Sequence, residues 1–169
     1  SVIINCAWNG VLGKDRDDIK QFENIKMSLN VYMIAKKTNC RQLIFFGSQA
    51  EYGPKIYKIN ENSKCKPITK YGKAKLHIYK YFYKKKDAGG PKILWLRLFD
   101  TFGPGDNENW IIPHLINNFS KNKNSYLSSC NQKWDFLYID ELCKIVGKLI
   151  DKKSYGLYNL ASGKSIVLK

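Results

Sequence analysis

The sequence predicts an α/β fold organised around a parallel sheet, on three grounds. Apolar, β-branched or aromatic runs of strand length recur at residues 2–7, 43–46 and 93–99. The intervals between them carry helical spacing, over residues 17–37 and 71–85. Parallel neighbours need a crossover, and strand, helix, strand, helix, strand is the rhythm that crossovers produce.

Each element has its own local reason. VIINCA at residues 2–7 reads as a strand buried on both faces. Ile19, Phe22, Ile25, Leu29 and Met33 recur at three- and four-residue spacing, which predicts a helix over residues 17–37 with those side chains on its inner face. Residues 51–67, rich in Gly, Pro, Asn and Lys, read as loop, and Thr69 is placed to cap the helix that follows. Phe102, Gly103, Pro104 and Gly105 end the third strand in a turn. Beyond Pro104 the rhythm changes: a helix at 111–118 with Pro113 in its first turn, a short strand at 126–127, a helix at 140–150, a strand at 157–160 and the start of another element at 165–169. The predicted division is residues 1–108 and 109–169, with strand 157–160 returning to the main sheet.

Composition narrows the function classes. With 44% apolar residues in 169, the chain can bury a core, and no apolar run approaches the roughly 20 residues of a membrane span. A cytoplasmic protein with no membrane partner is expected. The five cysteines are scattered without a CxxC, and His77 and His114 have no ligand-spaced partner, so no disulfide framework and no metal are expected. The net charge of +15 would ordinarily raise nucleic-acid binding. The excess is nearly all lysine, spread rather than striped and accompanied by abundant Asn and Ile, as A/T-rich codon usage produces. The densest run, Tyr83 to Lys86, falls at a helix end where cations suit the dipole, and no nucleic-acid partner is expected.

The chemistry gathers around residues 43–75. Ser48 ends an apolar strand, and Tyr71 follows 23 residues later with Lys75 one helical turn beyond it. Side chains at i and i+4 share a helix face, so Tyr71 and Lys75 point together toward whatever Ser48 faces. Tyr-x-x-x-Lys alone decides little, because 11 tyrosines and this many lysines give roughly 1.7 such pairs by chance. The other two, Tyr32 with Lys36 and Tyr81 with Lys85, follow no strand that ends in serine at a comparable distance. The constellation is that of a hydride-transfer site. A tyrosine that shuttles protons near neutrality must drop about two to three units from its free value near 10, roughly 3–4 kcal/mol. A nearby ammonium in a dry site favours phenolate by that order. Ser48 would align the reacting oxygen; its alternative reading is a capping serine at the strand corner.

No glycine-rich GxGxxG turn follows a strand here, although a dinucleotide fold holds pyrophosphate with one. The chain is therefore expected to lack N-terminal βα units, and to be cut short at its C-terminus as well.

Several ordered stretches resemble the extended short-chain dehydrogenase/reductase family, in its NAD(P)-dependent nucleotide-sugar epimerase, dehydratase and reductase branch. Residues 2–8 resemble the family's strand over the cofactor, Asn24 its cofactor-facing asparagine, and Ser48, Gln49, Ala50, Glu51, Tyr52 and Gly53 its serine before Tyr-Gly. Tyr71 and Lys75 match its YxxxK. Residues 97–104 resemble its Arg-x-x-Asn-x-Tyr-Gly-Pro, and residues 134–141 its Arg-Asp-Phe-x-Tyr-Val-x-Asp. The resemblance implies a Rossmann-like, doubly wound parallel sheet with a smaller C-terminal substrate-binding portion. It implies NAD or NADP contacted by Ala7, Trp8, Asn24, Tyr71, Lys75 and Phe99. It implies catalysis by Ser48, Tyr71 and Lys75, with Lys75 also holding the nicotinamide ribose, and a substrate site including Gln49, Asp100, Lys133 and Trp134.

Departures from the family pattern refine this. The 4,6-dehydratases carry an Asp-Glu pair after the catalytic Ser/Thr, whereas Gln49 and Ala50 stand here and cannot do acid–base work, so dehydration is not expected. Asp100 replaces an asparagine near the substrate diphosphate. Trp134 replaces a phosphate-binding arginine and reads equally as a core aromatic or a substrate wall, while Lys133 beside it can serve as a point charge. The expected function is oxidoreduction at C4 of a nucleotide-activated hexose or deoxyhexose. It would be of 4-keto-reductase or C4-epimerase type, in surface polysaccharide or O-antigen sugar synthesis. The alternative is a catalytically inactive, truncated paralogue acting as a subunit or interaction module. A homodimer is expected through the helices at 17–37 and 71–85, with Ile78, Tyr79, Phe82 and Tyr83 supplying apolar surface beyond what the sheet covers.

Overall fold

The computed structural model describes residues 1–84 and 89–168. The chain forms two compact units: Ser1–Leu98 with Lys152–Asn159, and Phe99–Asp151 with Leu160–Lys169.

The first unit is built on a four-stranded sheet with β1 (Val2–Asn5), β2 (Gln42–Ser48), β3 (Lys92–Leu98) and β7 (Gly156–Leu160) in that spatial order. β1 and β2 are parallel, as are β2 and β3, with Ile4 opposite Ile44 and Ile44 opposite Leu94. β2 is central and buried along nearly its whole length, as an apolar run between two neighbours must be. Its crossovers are α1 (Glu23–Lys37) and α2 (Lys70–Lys84). The expected extent of the second helix to Lys85, the pair of Tyr81 with Lys85 and the lysine run through Lys86 lie partly outside the described residues, as does Lys169. The Thr69 hydroxyl accepts the Gly72 N–H at 3.1 Å, the cap expected of it. The core gathers Tyr32, Ala35, Leu43, Phe45, Ile78, Phe82 and Trp95. Gln42 donates to the Ser154 carbonyl at 2.7 Å, tying the returning segment to β2.

Four sequence expectations for this unit need correction. β1 is an edge strand with Ile4 44% exposed, so it is not buried on both faces. The helix at 17–37 is α1 preceded by two 3-10 turns, Gly13–Asp17 and Ile19–Phe22. Its inner face is Asn24, Ser28, Tyr32 and Ala35, with Ile25 and Leu29 half-buried against the core as expected, while Ile19, Phe22, Met33 and Ile34 face outward. Small and polar groups sit inside because Asn24 and its neighbour Gln21 must satisfy the backbone of the loop they pack on. Finally, Ile78 and Phe82 are core residues at 0% and 5% exposure and supply no spare apolar surface, leaving Tyr83 outward.

The second unit holds β4 (Asp100–Phe102) paired parallel with β6 (Phe136–Tyr138), β5 (Lys133–Trp134) antiparallel to β8 (Ile166–Val167), and helices α3 (Ile111–Ser120) and α4 (Ile139–Asp151). Pro113 lies in the first turn of α3, where its missing N–H costs nothing. The strand expected at 126–127 is absent; Tyr126 is 92% exposed, with no partner strand to pair it. Among the described residues no helix is long and apolar enough to cross a membrane.

Candidate functional site

The site forms where β2 runs out into the 3-10 turn Gln49–Glu51 and meets the start of α2. Ser48 is the last residue of β2 and closes a capping box: its hydroxyl accepts the Ala50 N–H at 3.2 Å, and the Glu51 carboxylate accepts the Ser48 N–H at 2.9 Å. Gly72, one residue after Tyr71, lets α2 come against this turn, since a Cβ there would lie 2.5 Å from the Ala50 carbonyl oxygen. The Ser48 hydroxyl is thereby brought to the Tyr71 phenol, where it favours the phenolate. Both are 8% exposed.

Lys75 lies one turn along α2, 6% exposed. Its Nζ donates to the Phe46 carbonyl at 2.6 Å and sits 3.6 Å from the centroid of the Trp8 ring and 5.6 Å from that of Tyr71. Trp8 and Tyr71 meet edge to face at 5.7 Å. The Arg16 guanidinium lies 5.0 Å from the Tyr71 ring centroid.

Burial sets the electrostatics. It pushes the Tyr71 phenol above its ordinary value, against the Ser48 hydrogen bond and the Arg16 charge, while the Glu51 charge adds to the rise. It pulls Lys75 down to about 7, partly opposed by Glu51. The sequence led us to expect Lys75 to lower Tyr71. In this structure burial raises Tyr71 and lowers Lys75, and the cation whose charge favours the Tyr71 phenolate is Arg16.

Behind Ser48 lies a buried ionic network that the sequence reading passed over. Glu51, fully buried, receives Trp95 Nε1–H at 3.0 Å and Arg97 Nε–H at 2.7 Å in addition to the Ser48 N–H. Desolvation pushes its carboxyl up while Arg97 pulls it down. These converging N–H donors favour the carboxylate, and Glu51 in turn holds Arg97 charged. Arg97 lies 4.4 Å from the Tyr52 ring centroid, and Tyr52 donates its hydroxyl to Asn159 at 2.8 Å. The spacing Ser-x-x-Glu was the available signal for Glu51.

The other sequence candidates fall as follows. Ala7 is exposed at the end of β1 and Trp8 follows it. Asn24 is buried and its amide is spent on the loop, accepting Asn9 N–H at 2.9 Å and donating to the carbonyls of Asn9 at 3.1 Å and Gln21 at 3.2 Å. Gln49 lies in the turn after Ser48. Phe99, Asp100, Lys133 and Trp134 belong to the second unit. There Asp100 pairs with Phe136 across β4 and β6, and Lys133 with Val167 across β5 and β8. Trp134 stacks on Phe136 at 6.2 Å and keeps a buried indole N–H without a hydrogen-bond partner. Gln21 and Arg16, which surround Trp8 and Tyr71, went unread, since their place depends on the path of the loop at 9–21.

The chain matches the model of the NAD dependent epimerase/dehydratase family over residues 1–161. It is 25% identical over 130 residues to an uncharacterized UDP-glucose epimerase, YtcB, of Bacillus subtilis (strain 168), covering 76% of this chain and 41% of that protein. It is 27% identical over 112 residues to a GDP-6-deoxy-D-talose 4-dehydrogenase of Aggregatibacter actinomycetemcomitans, covering 65% of this chain and 37% of the relative. Its fold matches that of a UDP-N-acetylglucosamine 4-epimerase from Methanobrevibacter ruminantium M1, solved with UDP-N-acetylmuramic acid. The TM-score is 0.88 at 24% identity, over 99% of this chain and 57% of the other. The chain thus spans about two fifths of the length of these curated relatives.

Proposed function

The chain belongs to the NAD dependent epimerase/dehydratase family, and from that premise we propose that the whole protein carries out NAD(P)-linked oxidoreduction at C4 of a nucleotide-activated hexose or deoxyhexose. The reading rests on one observation above others: a buried serine at the phenol of a buried tyrosine, with a buried lysine one helical turn away. In this role the Tyr71 phenol moves a proton to or from the sugar O4, and Ser48 holds that oxygen against it. Gln49 and Ala50, at the turn, offer no acid or base for loss of water.

The donor set suits a nicotinamide dinucleotide. The Lys75 ammonium has three N–H donors, and Phe46 takes one of them. Lys75 and Tyr71 would hold the ribose end, with Ala7, Trp8 and Phe99 as further contacts; Asn24, its amide already engaged, would act by fixing the loop. When bound, the cofactor supplies or accepts the hydride. Gln49, Asp100, Lys133 and Trp134 are the proposed substrate contacts. We place the reaction in surface polysaccharide or O-antigen sugar synthesis, in the cytoplasm. A homodimer would cover the outward Ile19, Phe22, Met33 and Ile34.

The test supplies the whole protein with deuterated NAD(P)H and nucleoside-diphosphate 4-keto-6-deoxyhexoses, and separately with NAD⁺ and UDP-hexoses. Deuterium at C4 identifies a reductase, and interconversion of C4 epimers without net cofactor consumption an epimerase. Neither outcome with any nucleotide sugar would overturn the proposal.

A further inference from the structure

Lys75 is placed to be held by an aromatic face. The Trp8 ring centroid lies 3.6 Å from its Nζ, while the Phe46 carbonyl takes one of its three donors. The indole is itself anchored: its N–H donates to Gln21 Oε1 at 2.9 Å, and the Gln21 amide donates in turn to the carbonyls of Gly10 at 2.5 Å and Asp15 at 3.0 Å. Gln21 is 2% exposed, so this bracket is a fixed part of the interior. The same indole meets the edge of Tyr71.

We propose that Trp8 is a positioning residue for Lys75: its indole face, fixed by Gln21, keeps the buried ammonium charged and beside Tyr71. A desolvated cation–π contact of this kind holds a lysine midpoint up by roughly 1.5 pH units. The need for it is plain from the surroundings. Burial, partly opposed by the charge of Glu51 from the turn after β2, draws Lys75 down to about 7. Tyr71 on the same helix is neutral at that pH, being pushed upward by its own burial, and Arg16 faces Tyr71 from the 3-10 turn Gly13–Asp17. At a midpoint of about 7 the lysine is half charged at pH 7, so losing the indole face would leave it largely neutral there and whatever charge-dependent work it does would fail.

The inference deepens the proposed function and rests on it for its catalytic meaning, but its physical content is tested on this chain without substrate. Lys75 is followed by NMR in protein carrying ¹³Cε-lysine, its resonance being the one missing from Lys75→Met. Tryptophan analogues of increasing fluorination at position 8 keep shape and N–H while weakening the π face. They are expected to lower the Lys75 midpoint stepwise, by about one unit for the most fluorinated ring. Trp8→Leu should do the same, and Trp8→Phe should recover at least half the shift. A midpoint that fluorination leaves unmoved, or that Leu and Phe change equally, would overturn the proposal. In the whole enzyme the high-pH limb of kcat should move down with the midpoint. A shifted midpoint in a protein without turnover would sink the oxidoreductase reading and leave this one standing. Turnover with an unmoved midpoint would do the reverse.

Discussion

Replacing Glu51 by Gln should cost more stability than any surface change, because it strands a buried charge. Arg97 is 1% exposed and Glu51 is its ion-pair partner at 2.7 Å. Glutamine removes that charge and, whichever way its amide is turned, faces an N–H₂ toward either Arg97 Nε–H or the Ser48 and Trp95 donors. Breaking a buried pair in this way costs about 3–5 kcal/mol. Against the roughly 5–15 kcal/mol by which domains are stable, that is a large fraction. At about 2–4 °C per kcal/mol for a chain of this size, the melting temperature should fall by on the order of 10 °C. Urea denaturation is the assay, with the slope m unchanged so that the midpoint reports stability. The double variant Glu51→Leu with Arg97→Met, which removes both charges, should recover most of the loss. A loss below about 1 kcal/mol in Glu51→Gln, or a double variant no better than the single, would refute the view that Ser48 is braced by an ion pair.

Gly72→Ala places a methyl against the Ala50 carbonyl and should push α2 away from the Ser48 turn. Turnover of the whole protein should fall by about 10²-fold even if stability falls by only ~1–3 kcal/mol, and unchanged kinetics would contradict the stated packing. The unfolded chain binds the Lys75 proton up to its ordinary pKa near ~10.4 and the folded chain only up to about 7. Between those values the unfolded state holds more protons, so this lysine makes stability rise with pH. Lys75→Met should remove that contribution, read as denaturation free energy of both proteins from pH 6 to 10; parallel curves would contradict it. Sedimentation of the whole protein at micromolar concentration should give a dimer, and a strict monomer would leave the outward apolar face of α1 unexplained.

β1, β2, β3, β7 and α2 could be read from the chain because each is an apolar run or helical stripe bounded by its own turn chemistry. The Ser48, Tyr71 and Lys75 grouping was readable for the same reason: strand end and helix start fix where those side chains point. The inner face of α1 was not. Its apolar spacing named Ile25 and Leu29, which pack on the core, but also Ile19, Phe22 and Met33, which do not; the loop at 9–21 needs Gln21 and Asn24 as hydrogen-bond partners, and those polar residues turned inward. β5 and β8 are two residues each, too short for any periodicity, and exist only by pairing with one another. Gln21 and Arg16 carry no local signature at all.

The central claim is that Tyr71, aligned by Ser48, moves the proton that accompanies hydride transfer. Single-turnover kinetics of the whole protein carrying Tyr71→Phe, with cofactor binding measured in parallel, tests it most directly. The account predicts loss of turnover by at least about 10²–10⁴-fold with cofactor affinity retained, because the ring stays against Trp8 while the proton path is gone. Turnover within a few-fold of the parent protein would contradict it.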